Sequence, residues 1–132
     1  MGLFDLFRSK SKDEKYGHLQ TLVALSMADG HISEEEKAMI ADICRREGLS
    51  ADDLKRAIES LNPNEAHVFP TDDDTKVRYL MDMVCLMMVD GDIDEKELVL
   101  CKITARAMGF RAEVIDAMMS DIIEKIKQEI NS

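Results

Sequence analysis

The dipeptide Asp29-Gly30 returns as Asp90-Gly91, an offset of 61 residues (90 − 29), and the register around it holds without a gap. Val23, Leu25, Met27, Asp29, Gly30, Ile32, Glu34, Glu36, Arg45, Gly48 and Ala51 recur as Val84, Leu86, Met88, Asp90, Gly91, Ile93, Glu95, Glu97, Arg106, Gly109 and Ala112. These are 11 identities in the 29 positions from 23 to 51, where chance at an ordinary composition gives about two to three. Such a duplication narrows the possible folds sharply. Each copy must form a similar unit, and neither copy is long enough to bury its apolar face alone, so the two must share a core.

The periodicity within each copy is helical. Leu19, Leu22, Val23, Leu25 and Met27 form a dense apolar stretch that Gly30 ends, as a glycine stop does by taking left-handed backbone. Ser33-Glu34-Glu35-Glu36 then places a hydroxyl three residues before a glutamate, the arrangement of a capping box, and Met39, Ile40 and Ile43 carry the helix to Gly48. Ser50 to Asp53 opens a short third helix. After an irregular connector, Pro70-Thr71-Asp72-Asp73-Asp74 offers a capping hydroxyl and carboxylates suited to a helix N-terminus. The stretch from Val77 to Val89 is almost continuously apolar and predicts a central helix packed on most sides. A helix starts at Asp94-Glu95-Lys96-Glu97 and ends at Gly109; a final amphipathic one from about Ala112 to Ile130 uses Val114, Ile115, Met118, Met119, Ile122, Ile123, Ile126 and Ile130. The expectation is an all-α domain of about six helices, made of two tandem helix-turn-helix repeats (about residues 19–61 and 80–122) related by approximate twofold symmetry. Residues 1–15 read as an apolar tip on a polar tether, and residues 16–132 as the helical domain.

Composition excludes several functions. A formal charge of −10 and a pI near 4.7 oppose the phosphate backbone, so DNA and RNA are not expected partners. Cys44, Cys85 and Cys101 form no CxxC pair and fall among apolar neighbours, which predicts buried free thiols in a reducing compartment. No stretch reaches the 18 or so apolar residues of a membrane span and no signal-peptide pattern follows the start, so a cytoplasmic location is expected. His18, His31 and His67 are scattered without HExxH or Cys/His spacing, which gives zinc no support. The methionines Met81, Met83, Met87, Met88, Met108, Met118 and Met119 are expected in the core.

Ala28-Asp29-Gly30-His31-Ile32-Ser33-Glu34-Glu35-Glu36 and Val89-Asp90-Gly91-Asp92-Ile93-Asp94-Glu95-Lys96-Glu97 carry a resemblance to the tellurite-resistance TerB-like domains. Repeats of that family show Ala-Asp-Gly-x-(Ile/Val)-(Ser/Asp)-x-x-Glu. The first copy fits throughout, and the second has Val89 in place of the first alanine. The resemblance covers residues 16–132. It implies an all-helical, non-enzymatic domain associated with stress responses, with divalent cations bound through the repeat acids.

The corner admits two readings. Asp-Gly-x-Ile-x-x-x-Glu equals the second half of an EF-hand loop, but counting back puts Leu25 and Met27, or Leu86 and Met88, at the first and third ligand positions. None of these offers a hard oxygen, so a true EF-hand is excluded. Asp29, Glu36, Asp90 and Glu97 remain as a candidate site for calcium or magnesium, which two carboxylates hold weakly and four hold better. Alternatively, Ser33 with Glu36 and Asp94 with Glu97 are capping boxes and the glycines are stops. Asp29 and Asp90 then face the negative end of a helix dipole, which asks for a hydrogen bond or a cation.

The leading expectation is a helical interaction or scaffold module that binds protein, another copy or a different chain. A metal-dependent hydrolase using the paired carboxylates is one alternative; no catalytic base, nucleophile or phosphate-cradling loop accompanies them. A membrane-peripheral adaptor is the other, anchored by Leu3, Phe4, Leu6 and Phe7, a single turn that buries little area.

Overall fold

Glycine stops divide the chain where the sequence places them. Gly30, Gly48, Gly91 and Gly109 all have positive φ (100°, 72°, 81° and 96°), and both pairs are 61 residues apart (91 − 30 and 109 − 48). The geometry at the second pair is the same in both halves. The N–H of Leu49 donates to the carbonyl of Cys44 at 2.8 Å, and that of Phe110 to the carbonyl of Ala105 at 2.9 Å. This six-to-one closure needs left-handed backbone at the residue before it, which glycine adopts without a Cβ penalty.

The computed structural model describes residues 3–28, 30–60 and 68–131, with side chains from residue 12 onward. Among these residues the chain is all-helical: α1 (Leu3–Ser26), α2 (Glu34–Glu47), α3 (Ala51–Glu59), α4 (Asp73–Met88), α5 (Glu95–Ala107) and α6 (Glu113–Ile130). The capping box of α2 is present, with the Ser33 hydroxyl accepting from the Glu36 N–H and the Glu36 Oε1 accepting from the Ser33 N–H. α3 has its own box, Ser50 with Asp53.

Three details differ from the sequence expectations. α1 begins at Leu3, so the polar tether is helical in its backbone; the run from Ser9 to Lys15 holds no glycine or proline to stop a helix. The cap of α4 is the carboxylate of Asp72, which accepts from the Thr75 N–H at 2.8 Å, and not the Thr71 hydroxyl. Asp94 caps α5 by accepting from the Lys96 N–H, two residues on, where Ser33 accepts from the third residue, Glu36.

The core is formed by the inner faces of α1 and α4 with their neighbours. Leu19, Leu22, Val23 and Leu25 of α1 and Leu80, Met83, Val84, Leu86 and Met87 of α4 are buried, as are Ile40, Cys101, Ala105 and Ile115. Met108 and Met118 join them, while Met81, Met88 and Met119 pack at the edge. No helix among the described residues is long and apolar enough to cross a membrane.

Candidate functional site

Glu36, at the third position of α2, is 2% exposed. Its Oε1 closes the capping box, but its Oε2 is buried with no hydrogen-bond partner. Ser26 Oγ, at the end of α1, is the other buried and unpartnered side-chain atom among the described residues. A buried carboxylate oxygen without a partner is costly unless a proton, water or cation meets it. Asp29 lies outside the described residues.

In the second corner Asp90 is exposed, and its Oδ1 accepts the N–H of Asp92 at 3.1 Å. This turn-forming hydrogen bond compensates the carboxylate that the sequence leaves facing a helix C-terminus. Glu97 is buried at the third position of α5, matching Glu36. No group of three or more His, Cys, Asp or Glu residues is arranged to hold a metal among the described residues, so Glu36, Asp90 and Glu97 are not brought together.

The densest polar chemistry lies elsewhere, where α1, α2 and α4 meet. His18 Nε2 stands 2.8 Å from Asp82 Oδ2; the carboxylate can only accept, so Nε2 carries the proton. Arg46 donates to both Asp82 oxygens, at 3.0 and 2.5 Å, and to Glu47 Oε1 at 3.0 Å. Arg78 also reaches Glu47 Oε1, at 3.3 Å. The His18 ring stacks on Tyr79, with centroids 3.7 Å apart and planes 2° from parallel. The two rings occupy equivalent places in the repeat, since 79 − 18 is again 61.

Burial governs the protonation of this cluster. It lowers the His18 pKa from its ordinary 6.5 by penalising the imidazolium, against the opposing pull of Asp82. Burial alone would raise Asp82, but the hydrogen bonds from His18 and Arg46 outweigh it and hold the carboxyl below 3.8. The Tyr79 hydroxyl is pushed up to about 12, mainly by burial. His18 is 4% and Asp82 8% exposed, so this carboxylate–imidazole pair is closed to a substrate and serves to join helices.

Sequence reasoning passed over this network. Its one signal was Asp82, a single charge in the apolar run from Leu80 to Val89. The thiols match expectation more closely: Cys44 and Cys101 are buried and Cys85 is partly so. Burial raises all three, Cys101 to about 12, which leaves them protonated and poorly nucleophilic. Among the described residues, an open groove between α2 and α3 is lined by Ala41, Cys44, Arg45, Leu49, Ser50, Ala51 and Leu54. A second runs along α6 beside Ser120, Ile123, Glu124 and Lys127. Neither lining contains a paired acid and base.

α6 buries Ile115 and Met118 and packs Met119 and Ile122 at the edge of the core. Every residue from 123 to 131 is exposed, although Ile123, Ile126 and Ile130 continue the apolar stripe. These three isoleucines of the expected amphipathic helix lie outside the core, at 40%, 49% and 76% exposed. The side chains of Leu3, Phe4, Leu6 and Phe7 lie outside the described residues. No family model, no curated protein and no solved structure matches the chain.

Proposed function

We propose that this chain is a non-enzymatic helical interaction module of the TerB-like type that docks protein through the far half of α6. One observation carries the reading: an apolar stripe continues for about three helical turns beyond Met118, the last buried residue of its helix. Isolated exposed isoleucines are unremarkable, whereas a stripe on a projecting helix is a surface shaped for a partner helix. The recurring Asp-Gly-x-Ile corners and the glycine stops 61 residues apart support the TerB-like assignment. The stack of two equivalent rings, His18 on Tyr79, supports an approximate twofold relation between the halves. Ile126→Asp tests whether the stripe is free. Its thermal or urea unfolding is expected to differ from that of the natural chain by under about 0.5 kcal/mol, as for ordinary surface changes. A loss of about 2 kcal/mol or more would show that the face belongs to the core and would sink the reading.

A divalent cation at the first corner is a second reading, favoured by the buried, unpartnered Oε2 of Glu36 with Asp29 as its neighbour in the motif. Calcium or magnesium at ten times its Kd stabilises a folded protein by about 1.4 kcal/mol. In a chain of this size that raises Tm by about 5 °C relative to EDTA. Glu36→Gln keeps the capping box, since glutamine serves the same position, and removes the charge. The shift is expected to vanish in that variant and in Asp29→Ala combined with Asp90→Ala. A Tm indifferent to calcium, magnesium, zinc and manganese discards the cation.

A further inference from the structure

We infer that the first turns of α1 bind a lipid bilayer with anionic headgroups, entering it steeply through Leu3, Phe4, Leu6 and Phe7; this surface is separate from the α6 stripe. The helical backbone from Leu3 onward fixes the register of these residues. At about 100° per residue they spread over about 160° of the helix. No apolar residue follows until Tyr16, because Arg8 to Lys15 reads Arg-Ser-Lys-Ser-Lys-Asp-Glu-Lys. A helix lying flat among headgroups needs an apolar stripe along its length. A groove on a partner protein reads anchors at i, i+3, i+4 and i+7, and the i+7 positions here are Lys10 and Ser11. The apolar residues instead wrap a short stretch of helix and stop. Fluid acyl chains, which impose no shape of their own, accommodate such a stretch.

Charge selects the lipid. Residues 1–12 hold Arg8, Lys10 and Lys12 against Asp5 alone, a net +2, whereas residues 13–132 hold 14 basic and 26 acidic side chains, a net −12. The cations therefore adjoin the apolar turns, where an anionic surface attracts each of them. Four large apolar side chains hold more carbon than a myristoyl chain, whose attachment is marginal until a basic patch joins it; both signals are present in this segment. Steep entry also sets the acidic body farther from the bilayer than a flat helix would, where salt damps its repulsion. Lys12 is shared with the protein itself: after the Ser50 N–H, it helps to hold the Asp53 carboxyl of α3 below 3.8, so the variants below leave it in place.

Co-sedimentation of the full chain with vesicles tests the inference, using phosphatidylcholine alone and phosphatidylcholine with phosphatidylglycerol at about three to one. At about 0.1 M salt the chain is expected to bind the anionic vesicles about 30-fold more tightly, roughly fivefold for each net charge. Salt at about 1 M, which shortens the screening length from about 10 Å to about 3 Å, is expected to remove that preference. Arg8→Gln with Lys10→Gln is expected to erase it as well. Phe4→Ser with Phe7→Ser is expected to weaken binding to either vesicle more than about 100-fold, with Tm unchanged in both variants. Ile126→Asp is expected to bind as the natural chain does. The chain contains no tryptophan, so a single introduced one reports depth. The emission of Phe4→Trp is expected to move to shorter wavelength with anionic vesicles, and that of Ser11→Trp, seven residues on along the same face, to stay constant.

A chain that stays in the supernatant with both vesicles, or that binds both alike at low salt, overturns the inference. So does binding that survives the double phenylalanine variant, or that Ile126→Asp removes, since either result assigns the contact to another surface. A Tm lowered by more than about 5 °C in the phenylalanine variant places those rings in the folded body and overturns it too. Self-association that only this variant abolishes, without vesicle binding by the natural chain, gives the segment to a protein partner instead. A wavelength shift at Ser11→Trp equal to that at Phe4→Trp overturns the steep entry.

Discussion

Replacing Asp82 with alanine is expected to destabilise the fold by about 3–5 kcal/mol, the range measured when one member of a buried ion pair is removed. The size follows from what is left behind. Asp82 accepts from His18 and twice from Arg46, so its loss leaves a buried imidazole N–H without an acceptor. It also withdraws the charge opposite a guanidinium that burial only partly covers. Asp82→Asn is expected to lose less, because its amide oxygen still accepts one of the three bonds. Urea unfolding of both variants, read by circular dichroism at pH 7.5, checks the order. A loss below about 1 kcal/mol for the alanine variant would mean that the network adds little net stability.

The same cluster makes the protein acid-sensitive with a definite sign. Above His18's ordinary 6.5 the imidazole is neutral in both the folded and the unfolded chain, and its contribution is constant. Below that value the unfolded chain takes up a proton that the folded chain resists, so stability falls as the pH drops toward the folded value. Asp82 adds a second loss in the same direction. Its carboxylate is held below 3.8 when folded, so the stability it contributes is present above that pH and disappears below it. Urea midpoints at pH 7.5, 6.0 and 5.0 are expected to decrease in that order, and a midpoint that rises on acidification would contradict the burial of a neutral His18.

Gly17→Ala is expected to destabilise by about 2 kcal/mol, although alanine is the better helix former by about 1 kcal/mol. Gly17 lies inside α1, where a glycine serves no turn. Its use is proximity: a Cβ there would come within 2.5 Å of the Val68 carbonyl oxygen and 3.2 Å of the Val68 nitrogen. Both are backbone atoms, so no side-chain rotation relieves the clash and the segment at Val68 must move away from α1. The Gly17 carbonyl also accepts from the Thr21 hydroxyl at 2.9 Å, which anchors the strip of helix that the segment covers. Thermal melts of Gly17→Ala and Gly17→Val should show the second losing more. A stabilised alanine variant would mean that the segment at Val68 gives way to the added methyl without cost.

What the sequence revealed was local. The six helices, the stops at Gly30, Gly48, Gly91 and Gly109 and the box at Ser33 all depend on residues within a few positions of one another, where spacing is informative. The His18–Asp82 bond joins residues 64 apart, and neither helix alone indicates which of its turns meets the other. Asp82 was visible as an odd charge in an apolar run, but its partners were not. The far end of α6 shows the complementary difficulty. Its periodicity correctly marked an amphipathic helix, yet a stripe drawn on one helix does not say whether the chain's own body or another surface covers it. The candidate acids were legible as a pair of motifs, while their distance from one another is set by tertiary packing.

The polar network also bears on how the molecule opens. Because Asp82 binds residues from both α1 and α2, peeling either helix off α4 strands a desolvated polar group at once, and partial separation has no cheap first step. Amide protons of those three helices are therefore expected to exchange at a common, nearly global rate, and those of the exposed turns of α6 beyond Ile122 faster. The fold combines a cooperative unit with one arm, the end of α6, whose residues from 123 to 131 are all exposed.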